Sequence, residues 1–244
     1  MKKERLDVLV QERGLAESLK RAQALILAGQ VVVDDQRIDK PGTKVAVDSE
    51  LRLKGEVMPY VSRGGLKLKG ALDAFALEVR GAVCADIGAS TGGFTDCLLQ
   101  EGALRVHAID VGRGQLHEKL RTDARVISRE RVNARHLTDD DLPEPVQVVV
   151  IDVSFISLEL VLPAVLPKLA AGGLLVALVK PQFEVGPGDI DPGGVVRDQV
   201  ARQAAIDRIR AFVVAQGLTE LGVIDSPVPG PAGNIEALLV SRRP

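Results

Sequence analysis

The sequence predicts an α/β protein: a parallel sheet with helices on both faces, preceded by a small α+β unit. Three observations carry this. From Ala82 onward, solid apolar runs alternate with segments of helical spacing, as in a sheet buried on both sides. The first 58 residues follow another order, two short helical stretches and then alternating strand residues. Pro59-Tyr60 reads as a hinge, which divides the chain into 1–58, a linker at 59–64, and 65–244.

In the first unit Leu6, Leu9 and Val10 keep helical spacing up to Gly14. Ser18 is an expected N-cap for a second helix, whose Ala22, Leu25 and Ile26 share a face until Gly29. Val31–Val33 reads as a strand, Asp34-Asp35 as a turn and Lys40-Pro41-Gly42 as a loop. Val45 and Val47, then Leu51 and Leu53, alternate like strand residues. In the second unit the expected strands are Val83–Ile87, Val106–Asp110, Arg125–Ile127, Val146–Val153, Leu174–Val179 and Ala237–Val240. The expected helices are Phe94–Glu101, Leu158–Leu169 and Val200–Gln216.

Composition removes several function classes. The longest uncharged stretch, Leu169–Val179, is far short of the roughly 20 residues a membrane-spanning helix needs. Met1-Lys2-Lys3-Glu4-Arg5 opens the chain without an apolar signal core behind it, so a cytoplasmic protein is expected. Two cysteines, Cys84 and Cys97, in apolar surroundings suit a reducing compartment. No His/Cys cluster invites a catalytic zinc. Aromatics are 2% of the chain, so an extended base-stacking platform is not expected and any RNA would be held through phosphates and shape.

Sheets of this kind bind ligands at the carboxyl ends of their strands. The first strand runs into Asp86-Ile87-Gly88-Ala89-Ser90-Thr91-Gly92-Gly93-Phe94-Thr95, a glycine-rich turn ahead of a helix N-terminus. Its spacing is not Gly-x-Gly-x-x-Gly, which disfavours a dinucleotide. An acid before the first glycine suits a ligand bearing an ammonium, such as the methionine part of S-adenosylmethionine. Asp110, followed by Val111, closes the second strand where a carboxylate can take both ribose hydroxyls. Asn133 and Asp152 are expected at the adenine and the methyl.

Moving a methyl from a sulfonium to a ribose hydroxyl needs a base, because the hydroxyl is a poor nucleophile near neutrality. A partly dehydrated lysine near another cation can serve. Lys67 precedes the first strand, Asp152 ends the fourth, Lys180 follows the fifth and Glu236 precedes the last. Four groups of alternating charge at one sheet edge can align a hydroxyl. Two ordinary surface ion pairs, each worth about 0–1 kcal/mol, would explain poorly a lysine set against a long apolar run.

Two resemblances sharpen these expectations. Arg5-Leu6-Asp7, Gly14-Leu15, Ser18, Lys20-Arg21, Ala24, Ile26, Gly29, Val31, Val33 and Lys40-Pro41 resemble the S-four type of RNA-binding module. Asp34-Asp35 stands where that family often has Asn-Gly or Asp-Gly, which leaves the turn without its favoured glycine. The resemblance implies phosphate contact by Lys2, Lys3, Arg5, Lys20 and Arg21. The segments at 60–67, 86–95, 110–116, 152–158, 180–186 and 230–236 resemble the TlyA family of ribosomal RNA 2'-O-methyltransferases, whose catalytic domain is FtsJ-like and Rossmann-like. That likeness implies S-adenosylmethionine as cofactor, a cytidine in ribosomal RNA or a ribosomal subunit as target, and Lys67, Asp152, Lys180 and Glu236 as a catalytic tetrad with Lys180 taking the proton. Short-ended members tend to modify the large subunit only, so the large subunit is expected. Around the cofactor it implies Asp86, Gly88, Ser90, Thr91, Gly92, Gly93, Phe94, Asp110, Val111, Asn133 and Asp152. Arg63, Lys69, Arg113, the loop 186–194 and Arg197 are further expected RNA contacts.

Two other readings compete. Relatives labelled haemolysins would make this a pore-former, yet no spanning helix or interfacial amphipathic helix is legible. A non-catalytic RNA-binding adaptor is opposed by the intact glycine loop and the four polar groups. The oligomeric state is not legible.

Overall fold

The structure, a computed structural model, describes residues 2–54 and 58–244. Met1 and residues 55–57, which the sequence assigns to the first unit, lie outside the described residues. The chain divides into two compact units, Met1–Met58 and Pro59–Pro244.

In the first unit β1 (Lys3–Arg5) leads into α1 (Leu6–Glu12) and α2 (Leu19–Leu27). β2 (Val31–Val33), β3 (Gln36–Arg37), β4 (Lys44–Ala46) and β5 (Leu51–Leu53) follow. Ser18 caps α2 as expected, its hydroxyl oxygen accepting the Arg21 N–H at 3.2 Å. Leu6, Val10, Ala22, Ile26, Val31 and Val33 form one buried core. β1, pairing antiparallel with β4, and β3 escape the sequence because both are short and charged. The turn between β2 and β3 closes without glycine: Asp34 and Asp35 themselves adopt left-handed φ of 46° and 64°. Aspartate tolerates that region better than most residues. Asp34 gains a further anchor, its carboxylate accepting the Glu50 N–H at 2.7 Å.

The second unit begins with α3 (Gly64–Ala74) and continues β6 (Val83–Ile87), α4 (Gly93–Gln100) and β7 (Arg105–Asp110). Next come α5 (Glu118–Arg121), β8 (Val126–Glu130), β9 (Val146–Ile151), α6 (Leu158–Val165), β10 (Leu169–Val179), α7 (Gln199–Ala215), β11 (Thr219–Asp225) and β12 (Ala237–Arg242). The seven strands are ordered β11-β12-β10-β9-β6-β7-β8. β6 to β10 run parallel, whereas β12 lies antiparallel between β10 and β11, so the sheet is mixed rather than wholly parallel. Edge strand β11 is absent from the sequence reading because Glu220 and Gly222 break its apolar run. α6 stops at Val165, short of Leu169, and gives way to a 3-10 turn containing Pro167.

Alternation along the strands fills two cores. Cys84, Val106, Val148, Val150 and Val176 pack against Leu68, Leu72 and Leu98 of α3 and α4. Ala85, Ile87, Val149, Ile151 and Leu175 face Val161 and Leu162 of α6 and Ile206 and Ile209 of α7. Residues 59–64, expected as a linker, belong to this second unit: Tyr60 is buried in its core, and the Val61 N–H donates to Asp96 Oδ2 at 2.9 Å.

Candidate active site

Strand order changes direction between β6 and β9, so the two central strands open a crevice at their carboxyl ends. Gly88 leaves β6 with φ of 84°, and a Cβ there would meet the carbonyl oxygen of Asp152 at 2.4 Å. Its freedom thus serves a close approach of two loops, with the Asp152 N–H donating to the Ile87 carbonyl at 2.9 Å.

A cavity of about 470 Å³ occupies this edge, walled by Gly88, Ser90, Asp110, Val111, Asn133 and Asp152 among others. Asp110 shapes it: one carboxylate oxygen accepts the Ser90 N–H at 2.8 Å and the other the Gly112 N–H at 2.6 Å. Asn133 caps a 3-10 turn, accepting the Arg135 N–H at 3.1 Å. Asp86, Thr91, Gly92, Gly93 and Phe94 lie outside this wall. Asp86 is fully buried beneath the loop, its Oδ2 accepting the Thr95 hydroxyl at 2.6 Å and its Oδ1 without a partner. Burial pushes this carboxyl up to about 7. Its place is support of the loop from below rather than the cavity surface.

The four polar groups of alternating charge do converge. β12 runs antiparallel to β10, so its start abuts the end of β10, with Val179 opposite Ala237. This brings Glu236 and Lys180 to one edge, beside Asp152 from the end of β9 and Lys67 from α3. All four line a second cavity of about 510 Å³. Lys67 Nζ donates to Glu236 Oε2 at 2.5 Å, both groups buried. Lys180 Nζ lies 2.5 Å from Asp152 Oδ1 and donates to Ser154 Oγ at 2.8 Å. Asp152 Oδ1 and Glu236 Oε1 are buried without a directed hydrogen bond.

Asp152, Ser154 and Phe155 line both cavities. Phe155 is 90% exposed, has φ of 64°, and stands 5.1 Å from the Phe183 ring. Neither Ser154 nor Phe155 was given a role by sequence reasoning, although a phenylalanine three residues past a strand-end acid was the available signal. Glu184 is the other omission. It is buried after Lys180, accepting from the Leu158 N–H at 2.8 Å, Ser157 Oγ at 2.7 Å and Arg208 at 3.2 Å.

The residues fit S-adenosylmethionine. A small-ligand site spans roughly 300–1,000 Å³ with few convergent polar groups, and the first cavity has that size. Asp110 and Asn133 offer acceptors along it, and Asp152, its Oδ1 paired with Lys180, stands where it meets the second cavity.

The expected RNA contacts divide. Lys20, Arg21 and Arg113 are exposed, and Arg63 is partly so at the N-cap of α3. Arg5 is clamped by Asp7, with contacts of 3.0 and 2.7 Å, leaving half its side chain exposed. Lys69 is held by Asp73 at 2.6 Å and Glu101 at 3.2 Å, which raises its proton affinity and occupies its charge. Gly193 and Gly194 of the expected loop line the second cavity, and Arg197 is exposed beside Asp191.

Residues 60–243 match the FtsJ-like methyltransferase family and residues 4–51 the S4 domain. The chain is 47% identical, over 96% of its length and 88% of the relative's, to the 16S/23S rRNA (cytidine-2'-O)-methyltransferase TlyA of Mycobacterium tuberculosis. It is 34% identical, over 92% of its length and 81% of the relative's, to the 23S rRNA (cytidine-2'-O)-methyltransferase TlyA of Campylobacter jejuni. A solved structure titled as a candidate hemolysin from Streptococcus thermophilus shares 47% identity with a TM-score of 0.79, covering all of this chain and 89% of that one.

Proposed function

The chain belongs to the FtsJ-like methyltransferase family, and on that premise we propose that it 2'-O-methylates a cytidine ribose in ribosomal RNA, with S-adenosylmethionine as donor. The observation that carries this reading is the shared wall of Asp152, Ser154 and Phe155 between a cofactor-sized cavity and one lined by two lysines and two acids. Both relatives named above as methyltransferases carry the large-subunit RNA in their names, which favours that subunit.

Ser90, Asp110, Val111, Asn133 and Asp152 would hold the donor, with Asp86, Thr95 and the glycines supporting their loop from beneath. When bound, the donor would supply an electrophilic sulfonium methyl. Lys180 accepts the proton of the ribose hydroxyl, and Asp152 balances the charge that Lys180 gains. Lys67 and Glu236, paired with each other, line the same cavity. Phe155, exposed and braced by Phe183, offers a face on which the target base can stack. Exposed Lys20 and Arg21 meet RNA phosphates.

Lys180→Ala is expected to lower methyl transfer at least about 10³-fold while donor affinity, read by calorimetry, stays within a few-fold. Mapping ribose methylation in ribosomal RNA from cells with and without the protein identifies the nucleotide; an unchanged map refutes the reading. The hemolysin label predicts instead that the purified protein releases dye from liposomes without cofactor. Among the described residues no helix is long and apolar enough to cross a membrane.

A further inference from the structure

We propose that Ser154 is a positioning residue for Lys180, its hydroxyl fixing the direction in which the neutral amine offers its lone pair. This rests on the reading of Lys180 as proton acceptor. Lys180 has a flexible four-carbon stem, and a base must present its lone pair along one line to the reacting hydroxyl. Among the described residues, the one directed hydrogen bond of Lys180 Nζ goes to Ser154 Oγ, at 2.8 Å. The shorter contact with Asp152 Oδ1, 2.5 Å, is an ion pair without hydrogen-bond alignment. Charge and direction therefore come from different residues: Asp152 supplies the first and Ser154 the second.

A neutral primary amine carries two hydrogens and one lone pair around a tetrahedral nitrogen. Donating one hydrogen to Ser154 and turning the other toward Asp152 leaves the lone pair in the remaining direction. The hydroxyl proton then passes to Nζ, the O–H electron pair stays on oxygen, and Lys180 becomes an ammonium that keeps both neighbours. Ser154 is itself exposed and lines both cavities, so it stands at the point where direction matters. The charged groups around Lys180 are Asp152 from the loop after β9, Lys67 from α3 and Glu236 ahead of β12. Of the uncharged amides lining the same cavity, Asn234 gives its oxygen to the Val196 N–H and Gln182 Oε1 has no hydrogen-bond partner, so neither takes the place of Ser154 on Lys180.

The test compares full-length Ser154→Ala, Ser154→Thr and Lys180→Ala. Exposure of Ser154 makes both of its variants compatible with the fold. Ser154→Ala is expected to lower kcat roughly tenfold, the size of one lost hydrogen bond, with the KM for RNA and the donor Kd unchanged. The onset of the rate moves to lower pH, because the ammonium form has lost an acceptor. In the protein without donor, the pH titration of the Lys180 side-chain carbon resonance moves the same way, and Ser154→Thr restores both.

A wild-type kcat and an unmoved Lys180 resonance in Ser154→Ala overturn the proposal. So does a lower kcat with an unmoved resonance, which would make Ser154 a contact of RNA or donor. If Lys180→Ala is inactive while Ser154→Ala is normal, only the serine's role falls. If Lys180→Ala keeps full transfer, the base assignment falls and takes the serine's role with it.

Discussion

At the scale of single residues, the second unit keeps acids in places that cost stability. Asp86 is fully buried with one oxygen unpartnered, and its carboxyl is pushed from 3.8 to about 7 by burial. The folded state thus binds this proton more tightly than the unfolded chain does. Its contribution is largest below the unfolded value and is lost as pH rises through about 4 to 7. Asp86→Asn, isosteric with the protonated acid, is expected to melt with a shallower loss of Tm over that range than the wild type. Parallel slopes would show that Asp86 is already ionised when folded. The Lys67–Glu236 pair is as deeply placed, with side chains 9% and 1% exposed. Truncating one partner of a buried pair strands the other charge. Glu236→Ala is therefore expected to cost about 3–5 kcal/mol in chemical denaturation.

At the scale of elements, the site depends on loops that are tied to one another rather than on strands alone. The loop after β9 and the loop after β10 are joined twice. Lys180 reaches Asp152 and Ser154, and Glu184 reaches Ser157 and the Leu158 N–H. Arg208 of α7 completes the second tie through the carboxylate and carbonyl of Glu184, the latter at 2.5 Å. Glu184→Ala would leave a buried N–H and a hydroxyl without their acceptor and take one carboxylate from Arg208, which keeps Glu159 and the backbone carbonyl at 184. The expected loss is about 3 kcal/mol in denaturant unfolding, with amide exchange faster at the start of α6. Unaltered exchange there would mean water replaces the carboxylate.

At the scale of the whole molecule, the two units have separate cores and separate expected tasks. All residues lining the two cavities come from the second unit. A chain of residues 59–244 is therefore expected to bind S-adenosylmethionine as the full chain does, within a few-fold by calorimetry. Its affinity for ribosomal RNA should fall, and the dependence of binding on salt should flatten as phosphate contacts are lost. Equal RNA affinity and salt slope for the two chains would remove the first unit from RNA recognition.

Periodicity by itself determined most of the strands, the Ser18 cap, the two-unit division and the strand-end positions of Asp110, Asp152 and Lys180, because these follow from local apolar patterning and chain order. It did not determine the antiparallel insertion of β12, since the same apolar run Ala237–Val240 reads alike in either direction. Only the tertiary structure decided that this reversal sets Glu236 beside Lys180 and against Lys67, that Asp86 lies under the loop rather than on the cavity wall, and that Lys69 is spent on Asp73 and Glu101. Residues that meet across long chain separations are selected by packing, and packing leaves no period in the sequence to read.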